Sequence, residues 1–153
     1  MSGHLSKDPN IDLYVFNRSN RVTKRWLKDF NGLEFKLSKD TKNKFNGVIT
    51  CLKDDSSIVE VLIKNNFIGL LKSNAFVIDH STTSLQLIQN ISSNKKFISN
   101  NISFFDAPVS GGEVGAINGT LSIMYGGPNK TVSYTHLRAH ETSLHLVCRL
   151  LLE

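Results

Sequence analysis

Short apolar runs alternate with helix-forming stretches along most of this chain, and that alternation leaves few folds open. Ile11 to Phe16 is apolar except for Asp12, Arg21 to Phe30 reads as a helix, and Gly47-Val48-Ile49-Thr50-Cys51-Leu52 reads as a buried strand. Asp54-Asp55-Ser56 offers N-cap chemistry to a helix whose Ile58, Val61 and Leu62 share a face. Ala75 to Asp79 is a further strand. Ser81 to Ser84 can cap the helix after it, in which Leu85, Leu87, Ile88, Ile91 and Ile98 recur at helical spacing. Ile102 to Ala107 and Thr120 to Tyr125 complete the strands. Such a series predicts an α/β domain with parallel strands, and parallel strands present ligand groups at their carboxyl ends. The loops in question are Asn17-Arg18-Ser19, Leu52-Lys53-Asp54, His80-Ser81-Thr82-Thr83 and Pro108 to Gly112, all polar or glycine-rich. No internal repeat or flexible linker divides the chain.

Length and composition narrow the function classes. At 153 residues with 40% hydrophobic content, the chain has room for one domain with an ordinary core. No apolar run is long enough to span a bilayer, so the chain reads as soluble, with no membrane partner. Cys51 and Cys148 are the only cysteines, too few for a disulfide scaffold, and the apolar run around Cys51 predicts a buried thiol. The net charge of +5 gathers between Arg18 and Lys44, at Arg21, Lys24, Arg25, Lys28, Lys36, Lys39, Lys42 and Lys44. Without interleaved aromatics or a helix-turn-helix pattern, this run reads as a solvated face and not as a nucleic-acid surface. A phosphorylated small molecule is the better anionic partner.

The segment Phe105-Asp106-Ala107-Pro108-Val109-Ser110-Gly111-Gly112-Glu113-Val114-Gly115-Ala116-Ile117-Asn118-Gly119-Thr120 is more particular. It passes from an apolar strand into a glycine-rich turn, where bare backbone N–H groups and the Ser110 hydroxyl can face an anion. The alternative is a strand-to-helix turn that merely needs small residues. Its wording closely resembles the D-A-P-V-S-G-G-x-x-G-A-x-x-G-T-L signature of the β-hydroxyacid dehydrogenases, the family of 3-hydroxyisobutyrate, tartronate semialdehyde and 6-phosphogluconate dehydrogenases. The resemblance covers residues 3 to 128. It implies a Rossmann-type, doubly wound, mainly parallel sheet, and it implies that Ser110, Gly111 and Gly112 hold a substrate carboxylate. Asn118 and Gly119 are expected to shape the turn.

Other positions follow the same resemblance. Asn17-Arg18-Ser19 stands where relatives bind the ribose end of the cofactor; arginine in place of an acid suits a 2′-phosphate, so NADP is favoured, with NAD as the alternative. Leu52-Lys53 matches the L-P along which the backbone follows the cofactor, with Lys53 in place of proline. Ile78-Asp79-His80-Ser81-Thr82 resembles I-D-x-S-T, whose threonine approaches the nicotinamide, although Thr82 could equally be a helix cap. Asp79 and His80 read as structural, since no nucleophile accompanies them. The implied activity is interconversion of a small 3-hydroxyacid and its semialdehyde, with an intact parent expected to be a homo-oligomer; the sequence does not tell a cytoplasmic from a mitochondrial location. The lysine that moves the proton in the family, in G-x-x-G-x-x-x-K-x-x-x-N, has no counterpart in this sequence. Catalytic residues are therefore none, and the chain alone is expected to be inactive. The rival reading is a non-catalytic module that binds a nucleotide or a partner.

Both ends depart from the pattern. The G-x-G-x-x-G turn that receives a pyrophosphate is missing, and Met1-Ser2-Gly3-His4-Leu5-Ser6 resembles the tail of the family's first helix, so the sheet is expected to lack its first strand. After Gly126-Gly127-Pro128-Asn129 the α/β pattern stops. The stretch from Thr131 to Glu153 resembles a translated sequencing-adapter tail, which divides the chain into a partial NAD(P)-binding domain at 1–130 and a tail at 131–153 that forms no domain. His136, His140, His145 and Cys148 could be mistaken for a zinc cluster, but they follow no metal-binding motif, and no metal site is expected.

Overall fold

A computed structural model describes residues 1–36, 42 and 44–127, together with the backbone of 144–149. The strands are β1 (Ile11–Phe16), β2 (Leu33–Glu34), β3 (Phe45–Thr50), β4 (Leu71–Asp79), β5 (Ser103–Asp106), the short pair β6 (Val109–Ser110) and β7 (Ser122–Ile123), and β8 (Leu144–Arg149). The helices are α1 (Ser2–Leu5), α2 (Asn20–Asp29), α3 (Asp55–Val59), α4 (Leu85–Ser92), α5 (Lys95–Ser99) and α6 (Gly112–Asn118). Six strands pair in the order β2-β1-β8-β3-β4-β5, every pair parallel, while β6 and β7 form a separate antiparallel ladder.

The alternation of side chains along each strand sorts the core onto two faces. Val48, Val77 and Phe104 point to one face and pack with Ile58, Leu62, Leu87, Ile91 and Phe97 from α3, its continuation, α4 and α5. Their neighbours Ile49, Phe76 and Phe105 join Leu13, Val15 and Trp26 of α2 on the other. Helices thus cover both faces, as a parallel sheet requires to bury its strands on each side. Glycine is needed at 47, where a Cβ would sit 2.4 Å from the Phe76 ring.

Local chemistry explains where the helices begin. Asp54 caps α3 by accepting from the Ser57 N–H, Ser84 caps α4 by accepting from Leu87, and Asn94 caps α5 by accepting from Lys96. Asn94 also divides what the sequence periodicity presents as one long helix. Ile98, beyond the break, is 65% exposed, and Leu85 at the start of α4 lies on the face away from Leu87 and Ile91 and is 69% exposed. Thr82 makes no cap; that role falls to Ser84.

In a doubly wound sheet of order 3-2-1-4-5-6 the first strand lies between the second and the fourth. With β1 as the second and β3 as the fourth, that place is occupied by β8, which pairs with β1 from Ile11↔Leu144 to Phe16↔Arg149 and with β3 from Gly47↔Leu146 to Ile49↔Cys148. The sheet is therefore not open between β1 and β3. Residues 144–149 depart from the expectation that 131–153 stand outside the domain. Two facing parallel edges leave backbone N–H and C=O groups unpaired, and an apolar segment such as Leu144-His145-Leu146-Val147-Cys148 can satisfy both at once.

Candidate functional site

The carboxyl ends of β3, β4 and β5 lie in one row, because Thr50 pairs with Asp79 and Asp79 with Asp106. The four polar loops therefore leave the same edge of the sheet. The direction of strand succession reverses between β1 and β3, and such a reversal opens the crevice in which open α/β sheets bind ligands.

At the end of β1, the Asn17 side chain accepts from the Ser19 N–H at 2.7 Å, which turns the chain into α2. Arg18 and Ser19 are exposed. Helix α2 has ten residues, Ser19 gives it no side-chain cap and no acid lies in its first turn, so its N-terminal N–H groups and positive dipole end are left for an anion. Of the basic run, Arg21, Lys24, Arg25, Lys28, Lys36 and Lys42 are exposed, and Lys44 instead lays its ammonium 4.2 Å from the centre of the Tyr14 ring. Lys39 lies outside the described residues.

The ends of β3 and β4 are bound to each other by a buried polar knot. Asp79 is fully buried, and its Oδ1 accepts from the Thr50 hydroxyl at 2.7 Å, the Ser81 hydroxyl at 2.7 Å and the Ser81 N–H at 3.3 Å. The Ser81 hydroxyl in turn accepts from the Leu52 N–H at 2.7 Å. Asp79 Oδ2 has no hydrogen-bond partner among the described residues. Burial, opposed by the Ser81 and Thr50 hydrogen bonds and reinforced by the charge of Asp106, holds the Asp79 carboxyl above the ordinary carboxylate range. Cys51 is half-buried and not fully enclosed as expected; burial first and Asp79 second raise its thiol, which disfavours a thiolate nucleophile. His80 is anchored too: its Nδ1 lies 2.7 Å from the Ala107 carbonyl, which can only accept, so Nδ1 carries the proton. Lys53 and Thr82 stand exposed beside the knot, while Leu52 is buried.

The fourth loop is built on glycine. Gly111 and Gly112 hold φ of 129° and 60°, a region that disfavours any side chain, and Ser110, Gly111 and Gly112 are all exposed. The turn is held in place from behind. Ser110 pairs with Ser122, the Gly115 N–H donates to Gly111 O, and Gly111 and Gly115 leave room for Leu121. At the other end of α6, Gly119 closes the helix with φ 71°, and His4 Nε2 lies 3.0 Å from the carbonyls of Ala116 and Ile117. Sequence gives no site role to His4 or Thr50 and reads Ser81 only as a cap candidate and loop residue, since nothing in their local spacing marks contacts made across the fold.

Among the described residues no group of His, Cys, Asp or Glu gathers as metal ligands, and no helix is long and apolar enough to cross a membrane. The side chains of His136, His140, His145 and Cys148 lie outside the described residues.

A doubly wound parallel sheet with an open helix N-terminus after one inner strand, and an exposed glycine turn after its edge strand, defines a dinucleotide-binding domain. The family of the NAD binding domain of 6-phosphogluconate dehydrogenase matches residues 1–138. An uncharacterized oxidoreductase of Shewanella frigidimarina is 33% identical over 128 residues, 83% of this chain and 43% of that protein. A probable 3-hydroxyisobutyrate dehydrogenase-like protein of Arabidopsis thaliana is 32% identical over 135 residues, 86% of this chain and 39% of that protein. Among solved structures, the 3-hydroxyisobutyrate dehydrogenase of Mycobacterium tuberculosis superposes with a TM-score of 0.66 at 17% identity, over 91% of this chain and 54% of that one. The chain thus spans less than half the length of these curated relatives. It belongs to the family of the 6-phosphogluconate dehydrogenase NAD-binding domain, among the β-hydroxyacid dehydrogenases.

Proposed function

We propose that this chain is the cofactor domain of an NADP-dependent oxidoreductase that interconverts a small 3-hydroxyacid and its semialdehyde. The observation that carries the substrate half is the Ser110-Gly111-Gly112 turn, exposed at the ligand edge with both glycines at positive φ. Such a turn offers backbone N–H groups and a hydroxyl to a carboxylate without a side chain in the way. The cofactor half rests on the end of β1. The exposed Arg18 and the uncapped α2 suit the 2′-phosphate of NADP, and Asn17 and Ser19 shape the approach. The backbone at Leu52 and Lys53 follows the cofactor, and Thr82 approaches its nicotinamide side. The dinucleotide, when bound, supplies the hydride acceptor or donor; these residues bind and orient it. No pyrophosphate contact is assigned, since the sequence contains no G-x-G-x-x-G. The substrate's hydroxyl proton is left to a group outside this chain, and the parent enzyme is read as a soluble homo-oligomer that does not bind nucleic acid. Residues 131–153 are read as foreign to the domain even though β8 fills its vacant sheet position.

Titration of the chain with NADPH and NADH, followed by cofactor fluorescence, tests this reading. NADPH is expected to bind about tenfold tighter or better, and Arg18→Ala to remove the difference, the size of one charge-assisted contact. Preference for NADH would overturn the assignment of Arg18.

A further inference from the structure

We propose that Asp79 is a positioning residue, a buried clamp that fixes the loop after β3 against the loop after β4 and so sets the spacing at which Leu52-Lys53 and Thr82 meet the dinucleotide. This rests on the cofactor reading of those two loops. The geometry is a chain of contacts with one anchor. Asp79 Oδ1 takes the Thr50 hydroxyl from the last residue of β3 and the hydroxyl and N–H of Ser81 beyond β4. Because the Ser81 hydroxyl gives its proton to Asp79, its lone pairs are left for the Leu52 N–H, and the carboxyl reaches the first loop through the second. The same strand end is tied on its other side, since the Asp79 carbonyl accepts from the Ala107 N–H at 2.7 Å and His80 Nδ1 donates to the Ala107 carbonyl. Three loops of the site are thereby held by one short segment.

Only one carboxyl oxygen does this work. Oδ2 is buried and has no partner among the described residues, so a charge shared over both oxygens is poorly served there. A proton on Oδ2 leaves Oδ1 an acceptor and keeps the clamp intact. Asparagine, with its carbonyl at the Oδ1 position, copies that neutral form. Burial acts on this carboxyl first, then the donors Ser81 and Thr50 and the charge of Asp106 from β5; the neighbouring Cys51 thiol is itself raised by Asp79.

The test uses the whole chain and two readouts. Amide hydrogen exchange at Leu52 reports the clamp without any cofactor, and titration with NADPH and with NADH reports its consequence. In the native chain and in Asp79→Asn the Leu52 amide is expected to be protected. In Ser81→Ala it should exchange faster, and affinity for both cofactors should fall by the same factor, about tenfold for one lost buried hydrogen bond. Arg18→Ala, by contrast, should weaken NADPH alone. A purely structural role would lower the melting temperature of Ser81→Ala while leaving the affinity of the folded protein unchanged, and that result overturns the proposal. So does a Leu52 amide that stays protected in Ser81→Ala, or one that loses protection in Asp79→Asn. If the native chain binds neither cofactor, the cofactor reading falls and the positioning role falls with it, while Leu52 exchange still decides whether the clamp exists.

Discussion

The ends of β4 and β5 are neighbours in the same sheet, yet they are built in opposite ways. Beyond β4 the chain enters a buried knot in which Asp79 Oδ1 takes the hydroxyls of Thr50 and Ser81, all three residues being out of solvent. Beyond β5 it enters an exposed glycine turn whose N–H groups are open. The difference separates two tasks. A group that must meet a ligand cannot also spend its hydrogen bonds on the protein, and a group that sets loop positions is worth most where water cannot compete.

The largest expected effect concerns the sheet that carries both ends. A chain ending at Gly127 lacks β8, which exposes the edge of β1 along Ile11–Phe16 and that of β3 at Gly47–Ile49, and it should aggregate instead of unfolding cooperatively. Sedimentation and thermal melts decide this. A soluble, cooperative product would show that the two halves of the sheet hold without β8. Next in size is Thr50→Val, which keeps the shape but removes one donor to Asp79; a loss of roughly 1–3 kcal/mol is expected in urea unfolding. No loss would mean that the knot contributes specificity alone. On the other side of the comparison, Gly111→Ala forces a Cβ into a left-handed backbone and within 3.1 Å of Leu121, for about 1–2 kcal/mol, with carboxylate binding impaired beyond that cost. Unchanged stability would show that the turn relaxes.

Two smaller effects depend on pH. Because the folded state holds the Asp79 proton above the ordinary carboxylate range, its contribution to stability is complete at acid pH and is lost as pH rises through the raised value. The Asp79→Asn protein should lack that decline, and parallel stability curves for the two proteins would refute the assignment. Asp54 behaves in the opposite sense. The Ser56 hydroxyl and the Ser57 N–H lower its carboxyl to about 2, so its stabilising cap is complete above the usual carboxylate range and fades as pH falls toward that value. Asp54→Ala should lower the melting temperature at neutral pH and flatten the acid limb of the profile.

Much of this was legible in the chain itself. Strand β1 carries the bounds read from its apolar run, the cap of α3 falls at Asp54, and Ser110-Gly111-Gly112 lies at a strand end as its wording implied. Periodicity overran at Asn94, whose side chain starts a new helix, because a hydrophobic pattern does not register a local competitor for the backbone. Asp79 was read as structural with no account of its partners. Those partners stand 29 residues away at Thr50 and beside it at Ser81, and no pattern in one dimension joins them.

The order of residues alone determined the alternation of strand and helix, the helix caps and the glycine turn, since each follows from side-chain chemistry within a few neighbouring positions. Only the tertiary structure decided that one carboxyl would bind two loops and that Leu144–Arg149 would close the sheet. Both depend on groups distant in the chain being brought out of water together, where an unmet hydrogen bond is costly and a met one holds the backbone in place.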